Sequence, residues 1–128
     1  MAKHPNQKLK LFCLYQILAH ETDEDHPMTV SQLIQALGRW EIQAERKSLY
    51  DDLAALERFG VDIQHRKGKS PGWFMGQRDF ELPELKLLVD AVQSSRFLTR
   101  KKSDALIRKL EGLASVYQAR QLQRQVYV

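Results

Sequence analysis

Cysteine is nearly absent from this chain: Cys13 stands alone among 128 residues, which excludes an internal disulfide. Its neighbours Leu11, Phe12 and Leu14 predict a buried, inert thiol in a reducing cytoplasm. His4, His20, His26 and His65 have no metal-ligand spacing, so neither a metal nor another cofactor is expected. The acidic run from Glu21 to Asp25 lacks the glycine and spaced oxygens of a calcium loop. A P-loop, a dinucleotide fingerprint and a nucleophile elbow are also missing, so no enzyme is expected. No apolar run approaches the ~18 residues needed to cross a bilayer. The first residues, Met1 to Asn6, lack the apolar stretch of a secretory signal. These absences leave a cytoplasmic, non-catalytic protein that works by binding.

What is present suits one small domain with a helical extension. An apolar share of 43% supports a modest core, and 28% charged residues argue against a disordered chain. The net charge of +4 favours anionic partners. Residues 1–78 nevertheless hold 11 basic against 10 acidic residues, and residues 79–128 hold 9 against 6. Local placement must therefore carry any argument for a charged partner.

Leu11, Leu14, Tyr15 and Leu18 recur at helical spacing and predict a first helix from Pro5 to Glu21. Thr22 to Pro27 is acidic and polar and reads as an exposed loop. Met28-Thr29 is the place for a minimal strand. Thr29-Val30-Ser31-Gln32 has the form of a capping box. It opens a short second helix lined by Val30, Leu33, Ile34 and Leu37 and ended by Gly38. A third helix, over about 43–59, buries Leu49, Leu53 and Leu56 and stops at Gly60. Val61 to His65 alternates as a half-buried strand does. Arg66 to Gly72 forms a basic turn, and Trp73-Phe74-Met75 returns as a second strand. Three helices and a two-stranded ribbon with a basic tip make a winged helix-turn-helix, here spanning residues 1–78.

The fold class expected is therefore mainly α, a winged helix-turn-helix followed by a helical extension. Pro83 fits a first helical turn, and Leu85, Leu88, Val89 and Val92 form the next stripe. Thr99 can cap a helix carrying Leu106, Leu110, Leu113 and Tyr117, so that residues 79–117 read as a linker or dimerisation element. Residues 118–128 read as a polar tail whose Val126-Tyr127-Val128 looks like the start of a strand.

The third helix carries the functional reading. Arg46 and Lys47 sit at its start, where the macrodipole disfavours cations, and that points to phosphate or base contact. An arginine there can fork onto a guanine edge, while a lysine more often grips a phosphate. Ser48 fits a phosphate contact and equally a small residue facing the second helix. Tyr50 fits either packing under the wing or a hydroxyl given to a phosphate. Asp51 and Asp52 would repel phosphates. One of them is expected to pair with an arginine and orient it, with Asp52 the structural member. His65, Arg66, Lys67 and Lys69 at the wing tip suit backbone or minor-groove contact. Thr29 and Ser31 would brace the second helix against the backbone. Trp40, Trp73 and Phe74 read as core or hairpin packing, and Arg100-Lys101-Lys102 as a solvated helix start.

Several phrases in this order resemble the N-terminal half of the bacterial WYL-domain transcriptional regulators, whose winged helix is related to the DeoR and biotin-operon repressor types. The phrase Arg46-Lys47-Ser48-Leu49-Tyr50-Asp51-Asp52-Leu53, with Leu56 and Gly60, is similar to the family's recognition helix. Gly72-Trp73-Phe74-Met75 looks like its second wing strand, and Asp79 to Leu85 like the opening of its linker. Gln43 departs from the pattern, because relatives often carry a Ser or Thr helix cap there. The resemblance implies a nucleoid-associated homodimer binding a double-stranded DNA operator. It also implies that any effector is bound by a sensor domain beginning close to Val128, outside this chain. The alternative is a winged helix used for protein contact, which the near-neutral charge of residues 1–78 keeps open. RNA binding has less support, since the chain lacks an aromatic sheet platform.

Overall fold

The computed structural model describes residues 7–126, except for the side chain of Val126. Among these residues the chain forms six α-helices and one two-stranded antiparallel sheet. It divides into two compact units between Gln77 and Arg78. No described helix is long and apolar enough to cross a membrane.

In the first unit a 3-10 turn, Gln7–Leu9, leads into α1, Lys10–Glu21. The predicted start at Pro5 lies outside the described residues. The buried face of α1 is Cys13, Leu14, Ile17, Leu18 and Ala19. The expected stripe is thus rotated, because Leu11 and Tyr15 remain 41% and 42% exposed. Apolar residues surround this helix on nearly every side, so their spacing does not single out one face. The compact aliphatics take the core, while the Tyr15 hydroxyl favours water.

Helix α2, Val30–Leu37, begins with the expected capping box. The Thr29 hydroxyl accepts from the Gln32 N–H at 3.1 Å, and the Gln32 side chain accepts from the Thr29 N–H at 2.8 Å. Val30, Leu33, Ala36 and Leu37 are buried. Gly38 does not reverse the chain. It continues into a 3-10 turn, Gly38–Trp40, and the left-handed residue is Glu41, at φ 58°. That reversal delivers Ile42 into the core at 2% exposure.

Helix α3 covers Arg46–Phe59, with Glu45 as an N-cap whose side chain makes no capping bond. Residues 43–45 therefore lie outside the helix, later than its expected start. Leu49, Leu53 and Leu56 are buried, as their spacing predicts. Each of these leucines contributes about 1.5–3 kcal/mol of burial. Gly60 closes the helix at φ 121°, a conformation that side-chain-bearing residues rarely adopt.

Strand β1, Ile63–Arg66, pairs with β2, Gly72–Met75, so that Ile63 lies opposite Met75 and Arg66 opposite Gly72. The minimal strand expected at Met28 is a single bridge. Its N–H donates to the Trp73 carbonyl at 2.9 Å, and the Trp73 N–H returns a bond of 2.7 Å. Gly72 permits this approach, since a Cβ there would lie 2.6 Å from the Met28 backbone.

The loop after α1 differs from its expected exposure. Thr22 and Asp23 are buried, at 0% and 4%. The Thr22 hydroxyl donates to the Leu18 carbonyl at 2.6 Å and accepts from the Met75 N–H at 3.1 Å, joining α1 to β2. Asp23 accepts from the Asp25 N–H at 3.0 Å and lies 2.8 Å from His26 Nδ1. Buried backbone groups need partners at a helix end, and these polar residues supply them. Glu24 and Asp25 do face solvent.

The second unit contains α4, Leu82–Gln93, α5, Arg100–Glu111, and α6, Val116–Val126. Its core is Leu85, Val89, Ile107, Ala114 and Leu122, with Leu88 and Val92 partly buried. Pro83 sits in the first turn of α4, and the Thr99 hydroxyl accepts from the Lys102 N–H at 3.2 Å to cap α5. The long helix expected to reach Tyr117 breaks after Glu111. Ser115 then starts α6 by accepting from the Gln118 N–H at 3.1 Å. Residues 118–126 belong to that helix and are not a tail. Val126, expected to begin a strand, is its last residue, and Tyr127 and Val128 lie outside the described residues.

Candidate nucleic-acid interface

The roll of α3 about its axis decides which side chains it offers. Leu49, Leu53 and Leu56 face the core. A second direction is fixed by Lys10 of α1, whose ammonium lies 2.7 Å from Asp52 Oδ2 and donates to the Ser48 hydroxyl. Ser48 and Asp52 are four residues apart, so one lysine grips two successive turns on the same side of the helix. The Asp52 carboxylate is held by charge, since Oδ2 has no well-directed hydrogen bond. The expected aspartate pairing therefore involves a lysine of α1 and not an arginine. Ser48 is partly buried and its hydroxyl accepts from Lys10 of α1.

The exposed residues of α3 are Arg46, Lys47, Tyr50, Asp51 and Ala54 in its first turns and Glu57, Arg58 and Phe59 at its end. Arg46 leans toward α2, with its guanidinium 3.4 Å from the Ser31 hydroxyl, a loose contact. Ser31 is exposed one residue inside α2, and Thr29 lies just before it as the cap. The first turn of α3 contains no acidic residue, and the exposed Glu45 precedes it as the N-cap.

Tyr50 meets the hairpin edge-on. Its ring centroid is 6.1 Å from that of Trp73, with the planes at 61°. On the indole, His65 stacks at 4.3 Å and 16°. These aromatic contacts couple α3 to both strands. Tyr50 is still 43% exposed. Trp73 and Phe74 are half-buried in the hairpin, while Trp40 is 37% exposed with the Arg39 guanidinium 5.1 Å from its ring.

The hairpin tip carries fewer cations than its sequence suggests. Arg66 is the last residue of β1 and turns back from the tip. Its guanidinium lies 5.5 Å from the Phe74 ring and donates to the Glu24 carbonyl. Histidine 65 likewise belongs to the strand. Lys67 and Lys69 remain in an exposed turn that uses positive φ at Gly68 and Ser70. Neither lysine has an ion pair or hydrogen-bond partner among the described residues.

Sequence reasoning missed Lys10, which reads as one more surface lysine beside an apolar helix. It also missed Trp73 as the residue joining Met28, His65 and Tyr50. Among the described residues no group of three or more His, Cys, Asp or Glu is placed to hold a metal ion. Comparisons with protein-family models, curated proteins and solved structures find no match to this chain.

Proposed function

We propose that this chain is the DNA-binding part of a bacterial transcription regulator, with residues 7–77 acting as a winged helix. In this reading α3 enters the major groove, and Arg46 and Lys47 contact base edges and phosphates. Lys67 and Lys69 hold the flanking backbone or minor groove. Thr29 and Ser31, at the start of α2, brace against the phosphates. Arg66 and Ser48 act as positioning groups, given their bonds to the Glu24 carbonyl and to Lys10. Two copies would bind a roughly palindromic site with half-sites about 10 bp apart, or a multiple of that.

The observation that supports the reading is the pair of exposed cations, Arg46 and Lys47, in a helix first turn that holds no acidic residue, with the exposed Tyr50 one turn on. Cations at that end of a helix disfavour its dipole and are stabilised when an anion approaches. A fluorescence-polarisation titration with random duplex DNA at low and high salt tests it, because phosphate contacts make affinity fall steeply with salt. The second reading is a protein-contact module, and Phe59 and Phe12, 87% and 70% exposed, favour it. Absence of salt-sensitive DNA binding would leave that reading in place.

A further inference from the structure

The two adjacent aspartates of α3 have different surroundings. Asp52 is partly buried in the ion pair with Lys10. Asp51 is exposed and has no ion pair or hydrogen bond among the described residues. It follows Lys47 by one helical turn, and Lys47, Tyr50, Asp51 and Ala54 are spaced i, i+3, i+4 and i+7 on one exposed face.

Resting on the major-groove reading above, we propose that Asp51 is a specificity-determining residue that accepts a hydrogen bond from the amino group of a cytosine. A carboxylate on a helix facing phosphates weakens every DNA complex through repulsion unless it meets a donor. In the major groove the cytosine N4 amino group is such a donor, while guanine offers only O6 and N7 acceptors there and thymine O4 is an acceptor. The charge therefore acts in two ways: it bonds one base and repels the acceptor edges of others. Adenine, with a donor beside an acceptor, suits a neutral amide better than a carboxylate. Ala54, one turn further along, is small enough to let the helix approach the base edges closely.

Selection of bound duplexes from a random DNA library, with the whole chain as wild type, Asp51→Asn and Asp51→Ala, tests this directly. Wild type should enrich a motif containing a fixed C·G pair. Both variants should lose preference at that one position by about tenfold or more, and Asp51→Asn should turn toward adenine. Their affinity for random duplex should rise, because a negative charge is gone, and their thermal unfolding should match wild type. An unchanged motif in both variants overturns the proposal. Salt-sensitive binding by wild type with no enriched sequence also overturns it, yet leaves DNA binding intact. No salt-sensitive binding at all overturns the DNA-binding reading itself.

Discussion

Lys10 of α1 and Asp52 of α3 are joined by a 2.7 Å ion pair whose side chains are only 11% and 20% exposed. The same ammonium holds Ser48, so α1 sets the roll of α3 as well as packing beneath it. This contact leaves Arg46, Lys47, Tyr50 and Asp51 facing outward.

Replacing Lys10 with Met should destabilise the first unit by about 2 kcal/mol, since it strands a partly buried carboxylate without its cation. Urea unfolding followed by tryptophan emission measures this, because Trp40 and Trp73 both belong to the first unit. Adding Asp52→Leu should recover part of the loss. A Lys10→Met variant as stable as wild type would contradict the role given to this pair.

Thr22→Val preserves shape but removes the hydroxyl between the Leu18 carbonyl and the Met75 N–H. With a buried N–H left unsatisfied, the expected loss is about 1–3 kcal/mol. Amide hydrogen exchange at Met75 should accelerate. Exchange unchanged at that position would argue that the bridge does not tie α1 to β2.

Gly72→Ala places a methyl within 2.6 Å of the Met28 backbone, at a φ of 149°. The bridge between Met28 and Trp73 must open, at a cost on the order of 3 kcal/mol. Trp73 carries the contacts to Tyr50 and His65, so their aromatic NMR shifts should move as well. Stability and shifts like those of wild type would refute the close approach.

Lys67→Ala should leave folding unchanged, because the side chain lies in an exposed turn without a partner. It should lower the salt slope of DNA binding by ~1 and weaken binding about equally across sequences. A loss confined to one sequence would instead place Lys67 on a base.

The sequence made α2, α3, the hairpin and α4 legible because each has one apolar stripe and a marked boundary. The Thr29 and Gln32 capping box and the Gly60 stop are local signals that tertiary contacts leave intact. The face of α1 was not legible, since Leu11, Phe12 and Tyr15 compete with Cys13, Leu14 and Ile17 for the core. The break between α5 and α6 has only a short local signal, Gly112 followed by Ser115, a helix stop and then a cap. Leu122, buried to 0%, is the apolar anchor inside what reads as a polar tail.

Within the candidate site, the exposed cations of α3 were legible from their position at a helix start. Asp52 was also legible as the structural one of the two aspartates, but its partner was not, because Lys10 lies far away in sequence on α1. Arg66 and Lys67 are adjacent in sequence, and the bond to the Glu24 carbonyl with the contact to the Phe74 ring separates the anchored cation from the available one.

The central claim is that the start of α3 contacts DNA, and the salt dependence of duplex binding by wild type and by the Arg46→Ala, Lys47→Ala double variant tests it most directly. The account predicts salt-sensitive binding by wild type, with the double variant weaker at every salt concentration and its slope lower by about 1–2. A double variant that binds as tightly as wild type, with the same slope, would contradict it.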